Sequence, residues 1–130
     1  MPGFLFKTLT LWRINRIISS IAYELGMHDP RFTNEIINTE KTDPVAPSFS
    51  QRLNSLENVN SYEASTLILI QLSVFWQNKS FDAEHSEAKV FVIYGKICEE
   101  SAKVLAKKAW PKEINAENRV LQLIQGKLRQ

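Results

Sequence analysis

One cysteine, Cys98, stands alone among 130 residues, which excludes an intramolecular disulfide framework and a cysteine-rich zinc site. Four glycines and five prolines are too few for a collagen-like or Gly/Pro-rich fibre. No segment reaches the ~18 consecutive apolar residues of a membrane span. An excess of either charge is also missing, because 16 Lys and Arg face 14 Asp and Glu, a net of +2. Alternating apolar and polar residues, the mark of a strand, occur nowhere, and no repeat of 20 to 50 residues is found. What is present suits a globular domain rather than a disordered tail: 44% hydrophobic and 23% charged residues, in a length that matches one domain over 1–130 with a real core.

Up to Tyr23 the chain carries Lys7, Arg13 and Arg16 and no acid. Transit peptides and membrane-surface helices share that pattern. A secretory signal fits badly, since Arg13 and Arg16 interrupt the apolar region and no small-x-small cleavage site follows. The helical spacing continues unbroken to Leu25, which favours the first helix of the folded domain and a cytoplasmic protein. A transit peptide is the alternative.

In that first helix Leu11, Ile14, Ile18, Ile21 and Leu25 define one apolar stripe, widened by Leu9, Trp12 and Ile17. Arg13, Arg16, Ser20 and Glu24 take the other side, and Gly26 sits where a left-handed cap ends a helix. Asp29-Pro30 reads as cap and first helical residue of a short helix to about Asn38, with Phe32, Ile36 and Ile37 as its apolar face. Residues 42 to 50, with Pro44 and Pro47, form the one internal loop. A brief helical turn around Leu53 and Leu56 follows it.

Asn60 and Glu63 match a capping box. The segment they open has no charge from Ala64 to Asn78, and its apolar residues point in every direction, as in a helix packed on several sides. A buried strand over 67 to 76 is the rival, disfavoured by Ala64, the leucines and two glutamines. Asp82 is the expected cap of the next helix, which runs to Trp110 and stops at Pro111. Its deep stripe is Phe91, Tyr94, Cys98, Ala102, Leu105 and Ala109, with Val90, Ile93, Ile97 and Val104 broadening the arc. Gly95 inside it costs about 1 kcal/mol against Ala, which marks a close helix contact. A last helix from Asn115 carries Val120, Leu121, Ile124 and Leu128. The expected fold is all-α, a bundle of four main helices plus one or two short ones.

Catalytic patterns are sparse, so the chain is read as non-enzymatic and without a cofactor. Ser86-Glu87-Ala88-Lys89 fits the Ser-x-x-Lys of acyl-transfer enzymes, but no second element accompanies it. Asp82, Glu84, His85 and Glu87 are possible metal donors at the wrong spacing for a carboxylate-bridged centre, and a dipole-matched helix start explains the acids. His28 beside Asp29 reads as loop chemistry, and Cys98 as an inert core thiol.

Charge placement is more informative. The last 65 residues hold ten basic and seven acidic side chains, whereas the first 65 hold six and seven. Lys89, Lys96 and Lys103 recur every seven residues, and Lys107 extends the row by a turn. Lys108 and Lys112 add charge near the helix end, and Arg119, Lys127 and Arg129 continue it. Arg13 and Arg16 form a second basic site. Such rows can neutralise nucleic-acid phosphates in a salt-sensitive, sequence-independent way. An ordinary solvated face, with Glu99–Lys103 as an i,i+4 pair, explains them equally well. No aromatic interleaves with the lysines, so contact is expected with backbone and not through base stacking.

From the Leu11–Leu25 helix to the Lys89–Lys107 row, the chain resembles in build the small all-helical subunits of CRISPR effector complexes. The resemblance covers general build and rests on no diagnostic motif. It implies an RNA-binding, antiviral assembly in which this chain stacks against other protein subunits and meets nucleic-acid backbone through Arg13, Arg16, Lys89, Lys96, Lys103, Lys107, Lys108 and Lys112. Self-association as a homo-oligomer is compatible with that build. The alternative function is a helical protein-interaction module, such as a chaperone, immunity or regulatory adaptor, with an exposed apolar patch around Trp110 and Pro111 and no nucleic-acid contact.

Overall fold

The computed structural model describes residues 3–27, 29–56 and 58–128. Helix α1 spans Phe4–Glu24, α2 Pro30–Ile37, α3 Phe49–Asn54, α4 Ser61–Asp82, α5 His85–Ala109 and α6 Ala116–Gln125, with a 3₁₀ turn at Thr39–Lys41. No strand occurs among the described residues, so the chain is all-α and residues 67 to 76 are helical. No helix among the described residues is long and apolar enough to cross a membrane.

Local chemistry accounts for the helix ends. Gly26 takes φ +79, and its N–H meets the Tyr23 carbonyl while Met27 N–H meets that of Ala22, at 2.9 and 2.8 Å. This paired closure satisfies carbonyls that the end of α1 would otherwise leave open. Asp29 caps α2 by accepting from Arg31 N–H at 3.0 Å, and Pro30 opens the helix. Asn60 caps α4 through the Glu63 N–H at 2.9 Å. The Glu63 carboxylate, which would complete the capping box, instead accepts the Trp110 indole N–H at 2.8 Å.

The core is built on α4 and α5, the most extensively packed pair. Ile68, Leu69, Leu72 and Trp76 of α4 and Tyr94, Ile97, Cys98 and Ala102 of α5 are all buried. Trp76 anchors an aromatic cluster with Phe75, Phe91 and Tyr94 at ring separations of 4.9, 5.3 and 5.0 Å, and its N–H donates to the Ile36 carbonyl at 3.0 Å. At Gly95 the two helices approach closely. The Ser73 hydroxyl donates to its carbonyl at 2.8 Å, and a Cβ there would lie 2.6 Å from Gln77 Cγ. Helix α1 lies across α4 and α5 on one side, and α6 packs on both through Val120 and Ile124.

Several sequence expectations are corrected. The buried line of α1 is Thr10, Ile14, Ile18 and Ala22, whereas Leu9, Trp12 and Leu25 are 42%, 51% and 54% exposed. A strict i,i+4 line rotates only slowly around a helix, and here it carries the core contact away from Leu9 and Trp12. Asp82 ends α4 rather than capping α5, whose N-cap is Glu84 without a side-chain hydrogen bond. The loop ends earlier than residue 50, because Ser48 and Gln51 form a reciprocal capping box that starts α3 at Phe49. Val90, Ile93 and Val104 lie on the outside of α5, and Trp110 is 7% exposed, so it does not supply the exposed apolar patch of the interaction-module alternative. His28 and Arg129 lie outside the described residues.

Candidate nucleic-acid interface

A rotation of about 100° per residue brings Lys89, Lys96, Lys103 and Lys107 onto one side of α5, opposite Cys98. The same periodicity brings acids to the row. Lys96 Nζ lies 2.9 Å from Glu99 and 3.1 Å from Glu100, and Lys103 Nζ lies 3.1 Å from Glu100. Glu99 therefore pairs with Lys96, not with Lys103 as its i,i+4 spacing suggested. Desolvation pushes the Glu100 carboxyl up, but hydrogen bonds from Lys96 and Lys103 outweigh it and hold the group below the ordinary carboxylate range. The Lys96 ammonium is pushed up by its bonds to Glu99 and Glu100. Lys107 meets Glu117 of α6 at 3.1 Å. Exposed pairs of this kind add only ~0–1 kcal/mol of stability, yet they make most of the row electrically mixed. Lys89, near the start of α5, has no ion-pair partner among the described residues.

A different set of cations converges where α1, the first turn of α4 and the last turns of α5 meet. Arg13 and Arg16 project from α1, Tyr62 from α4 and Lys108 from α5, lining a surface groove of about 400 Å³ with Trp12 at its edge. The Arg13 guanidinium carbon sits 3.7 Å from the Tyr62 ring centroid, and its Nε donates to the Ser61 hydroxyl at 3.4 Å. Lys108 Nζ is 5.5 Å from the same ring, and Arg16 is 5.2 Å from the Trp12 ring. Cations over aromatic faces gain about 0.5–1 kcal/mol at exposed sites, enough to bias long side chains toward one orientation. No carboxylate lines this groove.

Of the eight basic residues singled out from sequence, three are thus gathered: Arg13, Arg16 and Lys108. Lys96, Lys103 and Lys107 stay in the acid-matched row. Lys112 lines a separate open hollow at the α5–α6 turn with Glu113 and Arg119, themselves paired at 2.9 Å. Trp12 and Tyr62 were not anticipated beside the cations. Helical spacing puts Trp12 beside the apolar stripe of α1, and Tyr62 comes from an element remote in the chain from both arginines and Lys108.

The remaining chemistry is dispersed. Ser86 and Lys89 share no hydrogen bond among the described residues, and no group of three or more His, Cys, Asp or Glu side chains there is placed to hold a metal ion. Complete burial pushes the Cys98 thiol far above its ordinary value, against a small opposing pull from Arg52. Arg52 is itself buried, donating to Gln71 Oε1 at 3.1 Å and Thr39 Oγ1 at 3.3 Å, and burial lowers its affinity for a proton despite the nearby Glu40. It ties α3 to α4 and the 3₁₀ turn, a role that no local pattern signals. Comparison with protein-family models, with curated proteins and with solved structures yields no match to this chain.

Proposed function

We propose that the protein is a non-enzymatic helical subunit of a nucleic-acid-binding assembly, and that it meets the phosphate backbone at the groove between α1, α4 and α5. The observation that carries this reading is the composition of the groove: Arg13, Arg16 and Lys108 line it and no carboxylate does. An anion entering it meets three cations with no carboxylate in the lining to repel it, unlike one approaching the Lys96–Lys103 stretch, where Glu99 and Glu100 already hold the ammoniums. The reading also keeps the likeness in build to CRISPR small subunits as its nearest biological model.

Neutralising three phosphates should give a log-affinity against log-salt slope of about −2 to −3. Replacing Arg13, Arg16 and Lys108 together with Gln should remove most of that slope without loss of helix content. Equal binding by this variant and the wild type over the same salt series would refute the assignment. A second reading, a helical protein-interaction module, is favoured by Phe4 and Leu5, each 81% exposed at the start of α1. It expects no nucleic-acid binding at any salt.

A further inference from the structure

We infer that the groove takes single-stranded rather than double-stranded nucleic acid, with one base stacked on the Trp12 indole while neighbouring phosphates meet Arg13, Arg16 and Lys108. This rests on the phosphate reading above and adds what kind of strand the site accepts. Phosphate contacts alone need no aromatic surface, and a duplex keeps its base faces inside the helix. A site that sets an open aromatic ring among cations fits an unpaired strand, whose bases offer π-faces and whose backbone offers the charge.

The three tryptophans divide clearly. Trp76 is fully buried and donates to Ile36 O, and Trp110 is nearly so and donates to Glu63. Trp12 has half its surface open, and its indole N–H has no protein acceptor among the described residues. Tyr62 is the poorer platform, since Arg13 already covers it at 3.7 Å. Arg16, 5.2 Å from the Trp12 ring, is placed to serve either as a phosphate partner or as a second flat surface beside a base. The groove volume of about 400 Å³ falls within the ~300–1,000 Å³ of ordinary ligand sites.

The test compares an oligothymidylate of about 15 nucleotides, near the upper site size for one small domain, with a duplex of equal length at one salt concentration. Because Trp76 and Trp110 are buried, fluorescence quenching by the oligonucleotide reports Trp12. The single strand should bind more tightly and quench emission. Trp12→Ala should weaken it roughly 5- to 150-fold, the range measured for removing one base–aromatic stack, and weaken duplex binding far less, because a duplex loses only the ring that orients Arg16. Trp12→Phe should retain part of the affinity. Both substitutions fall at a half-exposed position of α1, and circular dichroism is the check that each variant is folded. Equal affinity for both nucleic acids, with Trp12→Ala indistinguishable from wild type, overturns the stacking inference and leaves the phosphate reading standing. No binding to either overturns both.

Discussion

Gly95→Ala sets two effects of opposite sign against each other. Helix propensity favours Ala over Gly by about 1 kcal/mol in a helix interior, so an uncrowded site would be stabilised. At Gly95 the added methyl would lie 2.6 Å from Gln77 Cγ and 3.3 Å from the Ser73 carbonyl oxygen, in a close contact between α4 and α5. The first distance is shorter than real contacts allow, and Cγ is near the root of the Gln77 side chain, so the whole side chain must turn aside. That movement disturbs the Gln77 amide bond to Ser73 Oγ at 2.8 Å, whose oxygen in turn donates to Gly95 O. Overpacking costs about 1–3 kcal/mol, and a hydrogen bond of this type adds about 1 kcal/mol. The expected net effect is a loss of about 1–3 kcal/mol, read by urea unfolding or as a fall of roughly 3–10 °C in Tm for a chain of this size. A variant more stable than wild type by about 1 kcal/mol would show that propensity decides and that α4 and α5 do not meet closely at residue 95.

Leu72→Ala, at a fully buried α4 position, should cost about 2–5 kcal/mol in chemical denaturation; Phe75→Ala should cost less, because Phe75 is only partly buried against Trp76. Cys98 should resist thiol reagents in the native protein and react with one equivalent once denatured, since burial both shields the sulfur and disfavours the thiolate; rapid native labelling would contradict the inward face of α5.

The main elements of this fold are written locally. Asp29-Pro30, Asn60, Asn115 and Gly26 lie at the helix boundaries they announce, and the uncharged run from Ala64 is the central helix its pattern demands. Where local signals failed, the competing information was tertiary. Helix α1 carries two overlapping apolar lines, one through Ile14 and Ile18 and one through Leu5, Leu9 and Trp12, and hydrophobicity ranks them alike. The line that enters the core is the one bearing small residues, Thr10 and Ala22, which let α1 approach its neighbours closely. Thr10 is fully buried within 3.4 Å of the Ser61 hydroxyl, a partner that no periodicity argument supplies. Trp110, the expected last residue of α5 and the patch residue of the interaction-module alternative, is buried, and Glu63, from a distant cap, accepts its N–H.

The candidate site shows the same division in its charges. The lysine row was visible because its members recur along one helix, yet the acids that neutralise it recur by the same rule. Glu99 and Glu100 stand three and four residues from Lys96, so the cancellation within the row was as legible as the row. A helical charge stripe is therefore weak evidence for an anion site until the i,i+3 and i,i+4 acids have been counted against it. The groove behaves in the opposite way. Arg13 and Lys108 share the Tyr62 ring only after three helices pack, and each residue seen alone is an ordinary exposed cation. Its distinguishing property, three cations with two aromatics and no carboxylate, belongs to no single segment. In a nearly neutral chain such a concentration of one sign has to be made by the fold. It is at this packing junction, rather than along the α5 row, that an anionic ligand would meet an unopposed positive surface.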